Sequence, residues 1–221
     1  EGFELTVGKP QVVVKTVDGK LQEPMERLSI DIPDDYLGVV TQLMALRKGR
    51  MEQMVNHGTG WIRMDYKVPS RGLIGFRNEF LTDTRGTGVL NHTFQGYGPW
   101  KGPIAGRKNG VLVAIETAET VAYSLFNLQD RGILFVQPGV KVYEGMILGQ
   151  HAKENDLVVN ACKGKKLTNV RASGTDEAVR LTTPITLSLE QAIAYIDEDE
   201  LVEVTPNHIR LRKIHLDPHE R

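Results

Sequence analysis

Between residues 25 and 94 the spacing of apolar side chains switches from two to about 3.6 residues and back in a fixed order, which few folds can satisfy. Leu28, Ile30 and Ile32 alternate with Arg27, Ser29 and Asp31, the pattern of a strand with one buried face. Pro33-Asp34-Asp35 follows, with acids where a helix start favours negative charge. Val39, Val40, Leu43, Met44 and Leu46 then form a helical stripe. Arg47 and Lys48 fall in the last turn, and Gly49 takes the place of a C-terminal capping glycine. A strand to Val55, a turn over Asn56-His57-Gly58-Thr59 and a strand over 61–68 come next. Pro69-Ser70-Arg71-Gly72 opens a second helix with Leu73, Phe76 and Phe80 inward, Arg85-Gly86 ends it, and 89–94 make a last strand. Strand, helix, strand, strand, helix, strand is the order of the split β-α-β (ferredoxin-like) sandwich, an antiparallel sheet with both helices on one face.

The flanks read differently. Residues 3–7 and 11–17 are strand-like, and Asp18-Gly19 is a hairpin signal. Residues 96–108 hold four glycines and two prolines, the composition of a domain boundary. Beyond it, 111–117 and 120–125 suggest a hairpin across Ala118-Glu119, and 126–131 a short helical turn. Further strands are expected at 133–136, 146–150 and 157–160. Ser188-Leu189-Glu190-Gln191 is a capping-box start for a helix to about Ile196, with Leu189, Ile193 and Ile196 inward. Residues 201–204 and 209–214 form a last hairpin. The expected class is α+β: a ferredoxin-like sandwich followed by a β-rich, barrel-like domain with one packed helix. The expected division is a strand remnant of a preceding domain (1–20), the sandwich (21–98), a linker (99–108) and the β-rich domain (109–221).

One segment belongs to neither pattern. Residues 163–176 carry Lys163, Lys165, Lys166 and Arg171 with no acid before Asp176, bracketed by Gly164 and Gly174. Leu157-Val158-Val159 leads in and Ala178-Val179-Arg180-Leu181 leads out, so two strands are expected to carry a long basic loop. Arms of about seven residues at about 3.3 Å per residue reach roughly 20 Å. Asn169, Ser173 and Thr175 complete a donor set that suits phosphate and ribose oxygens. The same composition also fits a solvated surface loop.

Much chemistry is excluded. No G-x-x-x-x-G-K-[ST], H-E-x-x-H, C-x-x-C or G-x-S-x-G occurs. His92, His151 and His208 have no metal-ligand spacing, and Asp197-Glu198-Asp199-Glu200 reads as a solvated helix exit. Cys162 is the single cysteine, so no internal disulfide is possible; its neighbour Lys163 could lower its pKa, although a partly buried inert thiol fits better. No run reaches the ~18 apolar residues of a membrane span. Net charge is −1, so polyanion binding has to come from local patches. The chain begins at Glu1 without methionine, as a fragment would.

Two sets of motifs resemble a known family. Glu23-Pro24-Met25-Glu26, Tyr36-Leu37-Gly38-Val39-Val40, Arg47-Lys48-Gly49 and the run from Val68-Pro69 to Gly75-Phe76 resemble domain V of elongation factor G-like translational GTPases. Leu128-Gln129-Asp130-Arg131-Gly132, Val142-Tyr143-Glu144-Gly145, the run Lys165-Lys166-Leu167-Thr168-Asn169-Val170-Arg171-Ala172-Ser173-Gly174, and Asp199-Glu200-Leu201-Val202-Glu203-Val204-Thr205-Pro206 resemble the C-terminal domain of the BipA/TypA branch.

The resemblance implies the last two domains of a ribosome-associated GTPase linked to ribosome assembly and stress response. GTP and Mg would bind in an N-terminal domain that this chain lacks, so no cofactor and no catalytic residue is expected in it. The implied partners are large-subunit rRNA and the acceptor arm of an A-site tRNA, met by the basic loop through Lys163, Lys165, Lys166, Asn169, Arg171, Ser173 and Thr175. A cytoplasmic monomer without membrane contact is implied. The rival reading is a small-molecule regulatory or dimerisation module, since sandwiches of this topology also sense metabolites.

Overall fold

A computed structural model describes residues 2–56, 58–164 and 180–221. The chain divides into two compact units, Pro10–Gly106 and Glu1–Lys9 with Arg107–Arg221. Residues 1–20, expected as one remnant, are split between them. β1 (Leu5–Gly8) pairs with a strand near the C-terminus, whereas β2 (Lys15–Val17) turns at Asp18-Gly19 into β3 (Lys20–Pro33) of the first unit.

In the first unit β3 is followed by α1 (Leu37–Leu46), β4 (Arg50–Asn56), β5 (Trp61–Pro69), α2 (Phe76–Asp83) and β6 (Val89–Pro99). The antiparallel order β4-β5-β3-β6 is that of the split β-α-β sandwich. Leu28, Ile30, Ile32, Met64, Tyr66 and Val68 from the sheet meet Val40, Leu43, Met44, Phe76 and Phe80 from the helices in one buried core.

Local details depart from expectation. Val39 and Leu46 are exposed, so the α1 stripe is narrower than its apolar content. The second helix is broken: Ser70–Leu73 is a 3-10 turn, and α2 begins after Gly75. β6 runs to Pro99, into the stretch expected to be linker. At the end of α1 the left-handed position is occupied by Lys48 (φ 60°), not Gly49. Lys48 N donates to the Ala45 carbonyl (3.1 Å) and Gly49 N to that of Met44 (2.8 Å), a Schellman ending. Gly49 instead sits close to the helix end, where a Cβ would lie a tight 3.2 Å from the Met44 carbonyl oxygen and displace the end of the Met44 side chain. Lys48→Gly should therefore raise the urea midpoint of the first unit, by up to about 1 kcal/mol in stability.

The second unit contains β7 (Val111–Ala114), β8 (Ala118–Glu119), α3 (Ala122–Gln129), β9 (Gly132–Leu134), β10 (Lys141–Val142), β11 (Met146–His151), β12 (Leu157–Val159), α4 (Leu189–Tyr195), β13 (Glu200–Val204) and β14 (Ile209–Lys213). Its main sheet runs β1-β13-β14-β11-β7-β12, with β9 also on β11. Among the described residues this sheet is open, not a closed barrel. Leu112, Ala114 and Leu148 face a core with Leu125 and Leu128 of α3. Val111, Val113 and Ile147 face another with Ala192 and Ile196. Two helices, not one, thus cover opposite faces of the sheet.

The expected hairpin over 111–125 is absent: residues 120–125 enter α3, and β8 pairs with β10. Val121 and Tyr123 imitate strand alternation, but Leu125 and Leu128 follow helical spacing and are the residues buried. The capping box of α4 forms as expected, Gln191 N donating to Ser188 Oγ (3.3 Å) and Ser188 N to Gln191 Oε1 (2.9 Å). The inward residues of that helix are Ala192 and Ile196, while Leu189 is exposed and Ile193 half-buried.

Candidate nucleic-acid interface

Lys165, Lys166, Asn169, Arg171, Ser173 and Thr175 lie outside the described residues. Lys163 is described and exposed. The structure does show how both ends of the basic segment are held. β12 runs parallel to β7 and delivers the chain to Ala161, whose carbonyl accepts from Val121 N (3.0 Å). Cys162 N donates to Asn160 Oδ1 (2.9 Å), a local turn that leads to Lys163. The Ser124 hydroxyl of α3 donates to the Lys163 carbonyl (2.6 Å).

The returning chain meets the same helix. Gln129 Nε2 donates to the Arg180 carbonyl (3.4 Å), and Gln129 Oε1 accepts from Thr182 N (3.2 Å). Cys162 and Leu181 pack on the core beneath α3. Five residues of helix separate Ser124 from Gln129, about 7.5 Å along the axis. One short helix therefore grips the departure and the return of the basic segment. The exposed rings of Tyr123 and Phe126 stand three residues apart on it. Sequence reading missed this helix, although the Leu125–Leu128 spacing signals it.

The other expectations for reactive groups resolve simply. Burial first, and the Glu116 carboxylate second, push the Cys162 thiol up, so Lys163 does not activate it. His92 Nδ1 lies 3.0 Å from Glu26 Oε2 in the first unit. His151 is buried against the Asn155 carbonyl, and His208 sits in the β13–β14 turn. Among the described residues no group of three or more His, Cys, Asp or Glu side chains is placed to hold a metal. No described helix is long and apolar enough to cross a membrane.

The acidic run 197–200 is not a solvated exit. Glu200 is fully buried and takes a two-pronged hydrogen bond from Arg107 (2.8 Å each) and another from Lys213 Nζ (3.0 Å). Lys213, itself buried, also meets Asp156 (2.6 Å) and Asp199 (2.7 Å), and Asp197 holds Lys9 (2.9 Å). Burial pushes the Glu200 pKa up, but the Arg107 hydrogen bonds and charge outweigh it and hold the carboxyl below its ordinary value. Asp197, Asp199 and Glu200 are thus taken up by the fold, and Glu198 alone of the run faces solvent without a role in it.

A profile of the TypA/BipA C-terminal domain matches residues 109–218, and one of the elongation factor G C-terminus matches residues 20–108. Among curated proteins, the large ribosomal subunit assembly factor BipA of Salmonella typhimurium is 53% identical over 100% of this chain and 37% of its own length. The proteins of that name from Escherichia coli K12 and Bacillus subtilis are 52% and 49% identical over the whole chain, which covers 37% and 36% of them. The chain spans little more than a third of these relatives.

Proposed function

We propose that this chain, which belongs to the TypA/BipA family of elongation factor G-like proteins, is a ribosome-docking part whose basic segment contacts RNA. The name those relatives carry, large ribosomal subunit assembly factor, makes the large subunit the favoured partner. The contacts we assign are to large-subunit rRNA and to the acceptor arm of an A-site tRNA, by a monomer acting in the cytoplasm. The observation that carries the reading is the grip of α3 on both ends of a segment bearing Lys163, Lys165, Lys166 and Arg171.

Each residue type has a distinct task. The lysines supply mobile point charges, and Arg171 can fork onto one phosphate or stack on a base. Asn169, Ser173 and Thr175 add hydrogen bonds to phosphate and sugar. Tyr123 and Phe126 offer faces on which unpaired bases can stack. Catalysis is assigned elsewhere: GTP and Mg belong to the part of the longer relatives not represented in this chain, whose sequence has no phosphate-cradling G-x-x-x-x-G-K-[ST].

Co-sedimentation with purified large subunits tests this. Changing Lys165, Lys166 and Arg171 to alanine should weaken binding and flatten the plot of log K against log salt by about 2–3 units, about 0.7–0.9 per lost phosphate contact. Thr168→Val, similar in shape but lacking the hydroxyl, serves as the control. A triple variant that sediments like the parent chain at both low and moderate salt overturns the reading.

A further inference from the structure

We propose that the second unit holds a binding site for a small amphipathic acid, a compact apolar body carrying one carboxylate. The site arises where two strands share one edge of β11. β14 pairs there with Met146 and Ile147, and β9 with Gly149, Gln150 and His151, while β7 takes the opposite edge. β14 pairs with β13 along all five of its residues but with β11 only through Leu211 and Arg212. The two strands therefore part, and Ile209 and Arg210 have no strand beside them on that edge among the described residues. The gap opens into a cavity of about 510 Å³. Small-molecule sites occupy roughly 300–1,000 Å³.

The lining divides into an apolar part and a set of donors. Phe135, Ile147, Leu187, Ala192 and Leu211 carry the core of this unit into the cavity. The Phe135 ring is held edge to face by Tyr195 at 5.4 Å, so this wall is preformed. Ile185 and Ile209 also line it, yet remain 44% and 42% exposed, so the cavity is open to solvent. Its polar lining includes Thr186, Asn207, His208 and Arg210, and no Asp or Glu. Among the described residues the side chains of Thr186, Asn207 and His208 have no hydrogen-bond partner; His208 engages Thr205 through its backbone alone. Arg210 lies 3.7 Å from Glu203, too far for a hydrogen bond, and Glu203 is already taken by the Tyr143 hydroxyl (2.7 Å). The guanidinium thus keeps its donors for another acceptor. Apolar walls, uncommitted donors and no carboxylate together select an apolar ligand with an anionic head. A nucleic-acid backbone has nothing to fill the apolar part.

Equilibrium dialysis of radiolabelled decanoate against the chain tests this. One decanoate should bind per chain. Decyltrimethylammonium, with the same tail and the opposite charge, should bind about tenfold more weakly or worse. Arg210→Gln should weaken decanoate binding about tenfold and leave that of 1-decanol unchanged, because only the head loses its partner. Thr186→Trp, at an exposed position, should fill the cavity and abolish binding of both. Melting followed by far-ultraviolet dichroism should be the same for the parent chain and these variants. If Arg210→Gln lowers the melting temperature, Asn207→Ala in the exposed turn takes its place and should weaken decanoate binding about threefold.

Absence of saturable decanoate binding overturns the proposal, as does binding that the variants leave unchanged, which would place it elsewhere on the chain. Equal affinity for the cationic amphiphile overturns the choice of an acid. A labelled decapeptide ending in leucine that binds more tightly than decanoate, and is lost in the same variants, overturns the small molecule in favour of a protein's C-terminal tail. None of these measurements involves RNA or ribosomes, so the site stands or falls apart from the role of the basic segment.

Discussion

Glu200→Gln should remove about 3–5 kcal/mol from the stability of the second unit, the usual cost of breaking a buried ion pair by deleting one partner. The side chain keeps its shape, so the loss reports charge and not a cavity. Arg107 suffers most, because Glu200 is the only carboxylate within 4 Å of it among the described residues, and its ring contact with Tyr195 (4.7 Å) cannot replace a counter-charge. Lys213 keeps Asp156 and Asp199. Both tryptophans, Trp61 and Trp100, lie in the first unit. Their fluorescence in urea should therefore be unchanged, while far-ultraviolet dichroism shows the second unit melting early. Replacing Arg107 and Glu200 together by Met and Leu should recover much of the loss, since an apolar pair of similar volume pays no desolvation cost. A single-variant loss below about 1 kcal/mol would mean that the network contributes little.

The same group fixes the sign of the acid response. The folded-state pKa of Glu200 lies below its ordinary value of 4.5, so its contribution is fully present above that value. It is lost as pH falls through the lower, folded value. Asp197 and Asp65 are lowered as well and act in the same direction, one in each unit. Lys213 is raised above its ordinary 10.5, so its contribution is fully present below that pH and is lost as pH rises from there through the higher folded value. Acid should therefore destabilise both units, and Glu200→Gln should make the second unit's stability depend less on pH between about 5 and 3.

The first unit was legible in the sequence because its sheet is half-covered. One face of β3 meets helices and the other meets solvent, so Leu28, Ile30 and Ile32 alternate visibly with polar residues. The second unit was less legible for the opposite reason. β7 is buried on both faces, each of its four residues included, and leaves no alternation to read. The helix over Ala122–Gln129 was hidden by a strand-like run, and with it the device that holds the basic segment. That segment was conspicuous by composition, whereas its anchors, a serine and a glutamine on a helix, carry no compositional signal. The acids at 197–200 looked solvated because their partners Lys9, Arg107 and Lys213 are distant in sequence.

Phe80→Ala should cost the first unit about 3–5 kcal/mol, the range for deleting a fully buried aromatic ring. Phe80 is 0% exposed and its ring stacks on Phe76 with centroids 5.5 Å apart. The surroundings cannot easily close over the gap. Gly88 approaches so tightly that a Cβ added there would lie 2.4 Å from Phe80 Cζ, and backbone on that side is held by Gly88 N donating to Thr84 Oγ1 (3.3 Å). Thr84 in turn donates its hydroxyl to the Phe80 carbonyl (2.7 Å). A ring wedged between α2, the sheet and this turn leaves a cavity with rigid walls, which places the loss toward the upper half of the range. Tryptophan fluorescence in urea should show the first unit unfolding at a lower midpoint with an unchanged slope. Leu46→Ala, on the same core's outer helix but 63% exposed, should change stability by less than about 0.5 kcal/mol. If Phe80→Ala cost under about 1 kcal/mol, α2 would not be packed on the sheet as described.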